Sequence, residues 1–417
     1  MTTMYRLSPK RWEQLHASPL VSHVDAFEQY LDAHQYAAAT SKTYLGCLAH
    51  VGYWMMCRQL VPEDLDEDRV EQFLNDHLPQ CDCPAPVCRA RPDLQAALGH
   101  LLHVLRTRGV IPEWVPNKTP VDVELCRFDA YMDHVRGLAS ETRRFYLHVV
   151  GRLLREQFDT GPIDVATITP QVLRRFVAKQ SELYRTSGGV AKLISALRGF
   201  LRFRTTEGDR VQTLLGALIS PPNWQHSTLP QALRPDEVER LVSSLDTEGP
   251  SARRAAAIVR CALDLGLRRA EIAGLSLDDI DWQAGTIRLR HTKGQREDML
   301  PLPETTGQAI AEYLRLERPQ TASRAVFVRQ IAPHDRPYGP HGVGKTIRQA
   351  YARAGLPHTR AHLLRHTLAD RLLASGSSLK DVADVLRHRS LNTTLIYAKL
   401  DTNQLTDVAL PWPGGAQ

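Results

Sequence analysis

HLLRHTLADRLLASGSSLKDVADVLRHRSLNTTLIYAK, residues 362–399, sets His362 and Arg365 one helical turn apart, adds His388, and reaches Tyr397 nine residues later. Upstream, LGLRRAEIAGL carries Arg268 after a Gly-Leu pair, with Glu271 three residues on. TIRLRHTKGQREDMLPL places Lys293 between two stretches that alternate as half-buried strands, which predicts a hairpin with the lysine at its turn. Apart from Lys345, it is the only lysine between Arg268 and His362. RPDEVERLVSSL predicts a helix with Pro235 in its first turn, and ARRAAAIVRCALDLGL and GQAIAEYLRLE predict others, so this region reads as mostly helical around one small sheet.

Singly, these features say little. An arginine on a helix is usually a solvated charge, and a tyrosine after two threonines is by default a packed aromatic. Their order and setting together resemble the tyrosine recombinases, also called the phage-integrase family. Gly266-Leu267-Arg268-Arg269-Ala270-Glu271 fits the family's first arginine box, and His362-Leu363-Leu364-Arg365-His366-Thr367 its second. Leu386-Arg387-His388 stands where the family usually has Leu-Gly-His, and Tyr397 holds the nucleophile position. The resemblance covers residues 229–400, and the region before them more weakly.

The resemblance implies a metal-free, cofactor-free strand cleavage, and the residue types suit it. Breaking a phosphodiester builds negative charge on the non-bridging oxygens, and guanidinium groups stay charged and present a planar fork of donors. Arg268 and Arg365 are then the phosphate clamp and Tyr397 the nucleophile. A phenol ionises only near pH 10, so it needs a base, and His362 takes that role. His388 donates to the phosphate, Lys293 protonates the leaving 5′-oxygen, and Glu271 and His366 support the set. The glycine that Arg387 replaces normally ends a helix in a left-handed conformation, where arginine costs roughly 1 kcal/mol. Arg387 is also expected to gain a phosphate contact.

At 417 residues with 43% hydrophobic content, the chain has room for two or three domains with real cores. A net charge of +6 and a pI near 8.9 permit nucleic-acid binding without proving it. No run of about 18 apolar residues predicts a membrane span. The opening MTTMYRLSPKRWEQLH lacks an apolar signal core, and seven cysteines is an odd number, so a reducing cytoplasm, on the nucleoid, is expected.

The stretch 217–230, rich in Pro, Ser and Asn, reads as a linker to a catalytic domain over 229–410. Ahead of it the sequence looks duplicated. Phe27, Tyr30, Thr40 and Tyr44 recur as Phe128, Tyr131, Thr142 and Tyr146, and each copy reaches a glycine, Gly109 or Gly208. The expected fold is mainly α: a duplicated helical SAM-like core-binding bundle, then a mixed α/β catalytic domain with a small antiparallel sheet. Residues 120–216 resemble the core-binding domain, and 1–115 its copy. Arg143, Arg144, Lys192, Arg198 and Arg202 are its candidate DNA contacts, against the plainer reading of a solvated helix surface.

In the first copy, Cys81, Cys83 and Cys88 with His77 suggest zinc, although the spacing is unusual and free thiols in a loop are the other reading. The expected partner is double-stranded DNA with inverted half-sites, bound by a homotetramer on paired sites, with accessory or sibling recombinases and no membrane. The tail 401–417 either docks on a neighbouring subunit or hangs free. Two rivals remain at this stage. Residues 378–399 also resemble a helix-turn-helix, as in a DNA-binding accessory protein that never cuts, and a type IB topoisomerase shares the chemistry.

Overall fold

The computed structural model describes residues 7–114, 118–184, 186–222, 231–245, 249–290, 297–388 and 394. Met1–Glu113 and Thr228–Gln417 make one compact unit, and Trp114–Ser227 a second. No helix among the described residues is long and apolar enough to cross a membrane.

The front of the first unit comprises α1 (Pro9–His16), α2 (Val24–Ala33), α3 (Ala38–Cys57), α4 (Glu67–Gln72) and α5 (Arg91–Thr107), with a π turn over Phe73–His77. In α5, Leu94, Leu98, Leu101 and Leu105 recur at helical spacing and are all buried. In α3, Leu45, Leu48, Val51 and Trp54 are buried along with residues on its other faces, which makes it the central helix of this core.

The second unit has α6 (Pro120–Ala130), α7 (Ser140–Phe158), α8 (Pro170–Ser181), α9 (Ser187–Thr206) and α10 (Gln212–Ala217) around Phe128, Leu173, Phe176, Leu197 and Phe200. Its element order repeats that of α2–α5. The long helices α3 and α7 run 20 and 19 residues, and a short 3-10 turn follows each, at Pro62–Asp64 and Val165–Thr167. The closing helices α5 and α9 both run out at a glycine of positive φ, Gly109 (70°) and Gly208 (102°).

Residues from 231 onward form α11 (Pro235–Ser243), α12 (Ala252–Asp264), α13 (Arg269–Gly274), strands β1 (Ile280–Asp281), β2 (Thr286–Leu289) and β3 (Asp298–Pro301), then α14 (Glu304–Leu316), α15 (Pro340–Arg353), α16 (His362–Ala374) and α17 (Leu379–Val385). The sheet is antiparallel in the order β1-β2-β3, with Ile287 opposite both Ile280 and Leu300. This is the hairpin read from the sequence. Its turn, residues 291–296 with Lys293, lies outside the described residues. Pro235 opens α11 as expected, and Glu237 folds back to accept from the Arg234 amide at 3.0 Å.

Two junctions position the functional residues. After α12 the chain reverses at Gly266, whose φ is +60° and whose missing Cβ would stand 2.9 Å from Leu368 and 3.0 Å from Leu386. A side chain is excluded there both by the backbone conformation and by α16 and α17 packed against it. The second junction joins α16 to α17. Ser378 accepts from the Asp381 amide at 3.2 Å and Asp381 accepts from the Ser378 amide at 3.0 Å, while Leu368, Ala369, Val382 and Leu386 seal the pair.

Candidate active site

The first arginine box is a helix start. Arg268 is extended (φ −74°, ψ 154°) and precedes α13. Glu271 returns to it twice, accepting from the Arg268 amide at 2.8 Å and from its Nη1 at 2.5 Å. One carboxylate thus fixes both backbone and guanidinium, in the manner of a capping box. The Glu271 side chain is only 5% exposed. Burial alone would raise its pKa; the Arg387 charge and the bonds from Arg268 outweigh this and hold it below the ordinary carboxylate value.

The second box opens α16. Arg365 is buried and donates through Nη1 to the Gly266 carbonyl at 2.5 Å and through Nη2 to the Leu386 carbonyl. It therefore ties the turn that carries Arg268 to the end of α17. His362 and His366 share a face of α16, with ring centroids 5.9 Å apart. Burial lowers the pKa of His362, and the charges of Arg365, Arg268 and Arg269 lower it further. His366 falls to about 4, through burial first and then His362 and Arg365.

His388 follows α17 through a Schellman turn. The Arg387 amide donates to the Asp384 carbonyl at 3.0 Å and the His388 amide to the Ala383 carbonyl at 2.9 Å. Arg387 takes the left-handed position with φ +53°. The turn that normally wants glycine is therefore preserved with an arginine in it. His388 Nδ1 lies 2.7 Å from the Thr394 hydroxyl. Burial, then Arg365 and Arg268, bring the His388 pKa down to about 4.

The expectation that Arg387 meets a phosphate is corrected. Its side chain is 5% exposed and Nη2 lies 3.0 Å from Glu271 Oε2, because the left-handed turn swings it toward the start of α13. Arg143 and Arg198 are also turned to internal partners. Arg143 pairs with Asp133 and, at 3.4 Å, with Asp129. Arg198 donates to the Leu218 carbonyl at 2.5 Å and to Ser220 at 3.3 Å. Arg144, Lys192 and Arg202 are exposed. The structure brings Arg268, Glu271, His362, Arg365, His366 and His388 together, whereas Lys293 and Tyr397 lie outside the described residues. Sequence reasoning missed Thr394 as the partner of His388; its only signal was the Thr-Thr pair ahead of Tyr397.

Comparison with known proteins gives the family. Residues 231–404 match the phage integrase family and 125–208 its N-terminal SAM-like domain. The chain is 35% identical over 407 residues to y4rA of Sinorhizobium fredii, named as an integrase/recombinase, covering 96% of each chain. It is 33% identical over 288 residues to the tyrosine recombinase XerC of Azotobacter vinelandii, covering 67% of this chain and 93% of that one. In fold it is similar to the XerH site-specific recombinase in a post-cleavage complex with a palindromic difH substrate (TM-score 0.51, 17% identity, 89% of this chain and 96% of that). It is similar also to the Tn1549 transposon integrase bound to transposon right-end DNA (TM-score 0.50, 17% identity, 69% and 99%). The chain belongs to the phage integrase family, the tyrosine recombinases. It is accordingly a site-specific DNA recombinase, and neither the non-cutting accessory protein nor the topoisomerase is favoured.

Two predictions follow from the site's electrostatics. Arg387→Gly relieves roughly 1–2 kcal/mol of left-handed strain, but stripping one partner from a buried ion pair costs about 3–5 kcal/mol. Arg268 still holds Glu271, so the net loss is smaller, and the urea midpoint of the variant falls; a rise would show that strain outweighs the pair. The second concerns pH. Histidines with folded pKa values near 4, against an ordinary 6.5, bind protons more readily in the unfolded chain. Stability contributed by His366 and His388 is complete above pH 6.5 and drains away as pH falls toward 4. Denaturant titrations at stepped pH read this directly, and His366→Asn flattens part of the slope; an unchanged slope would show that His366 is not held neutral.

Proposed function

We propose that the chain cuts and rejoins DNA through a 3′-phosphotyrosine on Tyr397. The observation that carries this reading is the anchoring of both arginines on one turn: Glu271 grips Arg268, and Arg365 donates to the carbonyl of Gly266 two residues before it. That arrangement fixes two donors before substrate arrives, which is what stabilising a five-coordinate phosphorus without a metal requires.

In this mechanism the Tyr397 oxygen attacks phosphorus while its proton passes to His362. The bond from phosphorus to the 5′-oxygen breaks, and Lys293 gives that oxygen its proton. Arg268, Arg365 and His388 hold the non-bridging oxygens, and His366 and Glu271 position their neighbours. The lowered pKa of His362 supports its role, since a base must be unprotonated at working pH. The free 5′-hydroxyl then attacks the phosphotyrosine of the partner strand. Energy stays in the ester, and neither ATP nor cofactor is needed.

The wider assembly belongs to the same proposal. Domains span 1–115, 120–216 and 229–410, the first a copy of the second. Exposed Arg144, Lys192 and Arg202 supply phosphate contacts from the second. Protomers bind inverted half-sites of double-stranded DNA in the nucleoid, and two dimers pair as a tetramer. A Holliday junction forms between them and a second round resolves it, with sibling or accessory recombinases where the element encodes them.

Tyr397→Phe keeps the ring but removes the attacking oxygen. It is expected to bind its sites normally and to leave no protein–DNA adduct on a nicked suicide substrate; an adduct at the wild-type level would overturn the assignment. Lys293→Ala is expected to cleave ordinary DNA slowly, by about 10²–10⁴ if it is the general acid. It should recover on a 5′-bridging phosphorothiolate, whose sulfur leaves without a proton. No recovery there means another group is the acid.

A further inference from the structure

The loop between the π turn and α5 is chemically unlike the rest of the fold. Residues 81–90, CDCPAPVCRA, form neither helix nor strand, and none of them is fully buried. In the second unit, the matching connection between α8 and α9 is five residues, 182–186, without cysteine or histidine. Hydrogen bonds from Arg11 and Gln14 to the Pro86 and Pro84 carbonyls tie its middle, and its cysteine-bearing start meets a different set of groups.

Four donor side chains meet under it. His50, Nε2 foremost, comes from the middle of α3, His77 from the end of the π turn, and Cys81 and Cys83 from the loop, and their ligand atoms all lie within 4.8 Å of one another. His50 Nε2 stands 3.2 Å from Cys81 Sγ, and His77 Nε2 3.4 Å from Cys83 Sγ. In a tetrahedral zinc site, bonds of about 2.0–2.1 Å to nitrogen and 2.3 Å to sulfur put the ligand atoms about 3.4–3.8 Å apart, so the cluster needs little adjustment. The outer contact also fits. His50 Nδ1 lies 2.7 Å from the Cys88 carbonyl, and donating there fixes the tautomer that leaves the Nε2 lone pair for a metal. His50 is 1% exposed, and Phe73 packs edge-on to it at 5.1 Å.

We infer that His50, His77, Cys81 and Cys83 bind one structural zinc ion that pins the 81–90 loop to α3. Two imidazoles and two thiolates with no carboxylate among them favour zinc over magnesium or calcium. All four positions are taken by side chains, so the site is closed to substrate and plays no part in cleavage. This changes the donor set suggested by sequence. Cys88 is not the fourth ligand: its Sγ is 3.2 Å from Cys47 Sγ, and His50, 31 residues before Cys81, takes the place.

The test uses the full chain purified under reducing conditions without added metal. Elemental analysis is expected to find one zinc per chain. Exchange into cobalt should give the visible bands of a tetrahedral ion and a charge-transfer band with the intensity of two thiolates. Cys83→Ser and His77→Gln should each lose the metal and lower the melting temperature, whereas Cys88→Ser should keep it. Should the ligand variants fail to fold, the cobalt spectrum of the unaltered protein still decides. Wild-type protein that takes up no zinc or cobalt on reconstitution would overturn the inference. So would full metal content in Cys83→Ser, or loss in Cys88→Ser equal to that in Cys83→Ser.

Discussion

The Glu271 carboxylate holds the catalytic segment's charge in order. It sits between Arg268 and Arg387, accepts from both, and is almost fully buried. Two guanidinium groups brought this close would repel without it, and a buried carboxylate without them would be protonated. Removing Arg387 leaves Glu271 with Arg268 alone, and removing Glu271 leaves two guanidinium groups unscreened. Through it the start of α13 is coupled to the end of α17, segments more than a hundred residues apart in sequence. Arg365 makes a second link between the same two places, from Gly266 to Leu386. The site is thus two nested ties across one junction, an ionic one and one to backbone carbonyls.

That construction explains the odd residue at the α17 turn. Glycine would satisfy the left-handed backbone at least cost, but it would leave Glu271 with one partner. Arginine accepts about 1 kcal/mol of strain and in return reaches the carboxylate. The exchange makes sense only in the folded context, since nothing local to Leu386-Arg387-His388 reveals that Glu271 lies across the gap.

The same distinction separates what was legible in the sequence from what was not. Features set by short spacing were legible: the Gly266-to-Glu271 box through its resemblance to the family's, and the alternation across TIRLR and EDMLPL from the residues themselves. Contacts set by packing were not. Place in the sequence marked Arg143, Arg198 and Arg387 as candidate DNA contacts, yet each is turned to an internal oxygen that lies elsewhere in the fold. His50 was invisible as a donor because it sits in an apolar helix 31 residues from the nearest cysteine of its cluster, and a ligand from a neighbouring helix leaves no spacing signature.

The electrostatics of the site also bear on its chemistry. Arg268 and Arg387 flank the Glu271 carboxylate while Arg365 is turned to backbone carbonyls, and burial with the nearby arginines lowers the pKa of the three histidines. The pocket is therefore net positive before any DNA arrives. An incoming phosphate supplies the missing negative charge, and the excess anionic charge of the transition state supplies more. In the proposed mechanism both steps relieve repulsion among Arg268, Arg365 and their neighbours, which is how a site without a metal favours the five-coordinate state over the ground state. Burial first, and the arginine charges after it, lower the pKa of His362 and His388. In the proposed mechanism the lowered pKa of His362 favours the neutral imidazole that a base must offer, and the charge it gains is compensated by the phosphate.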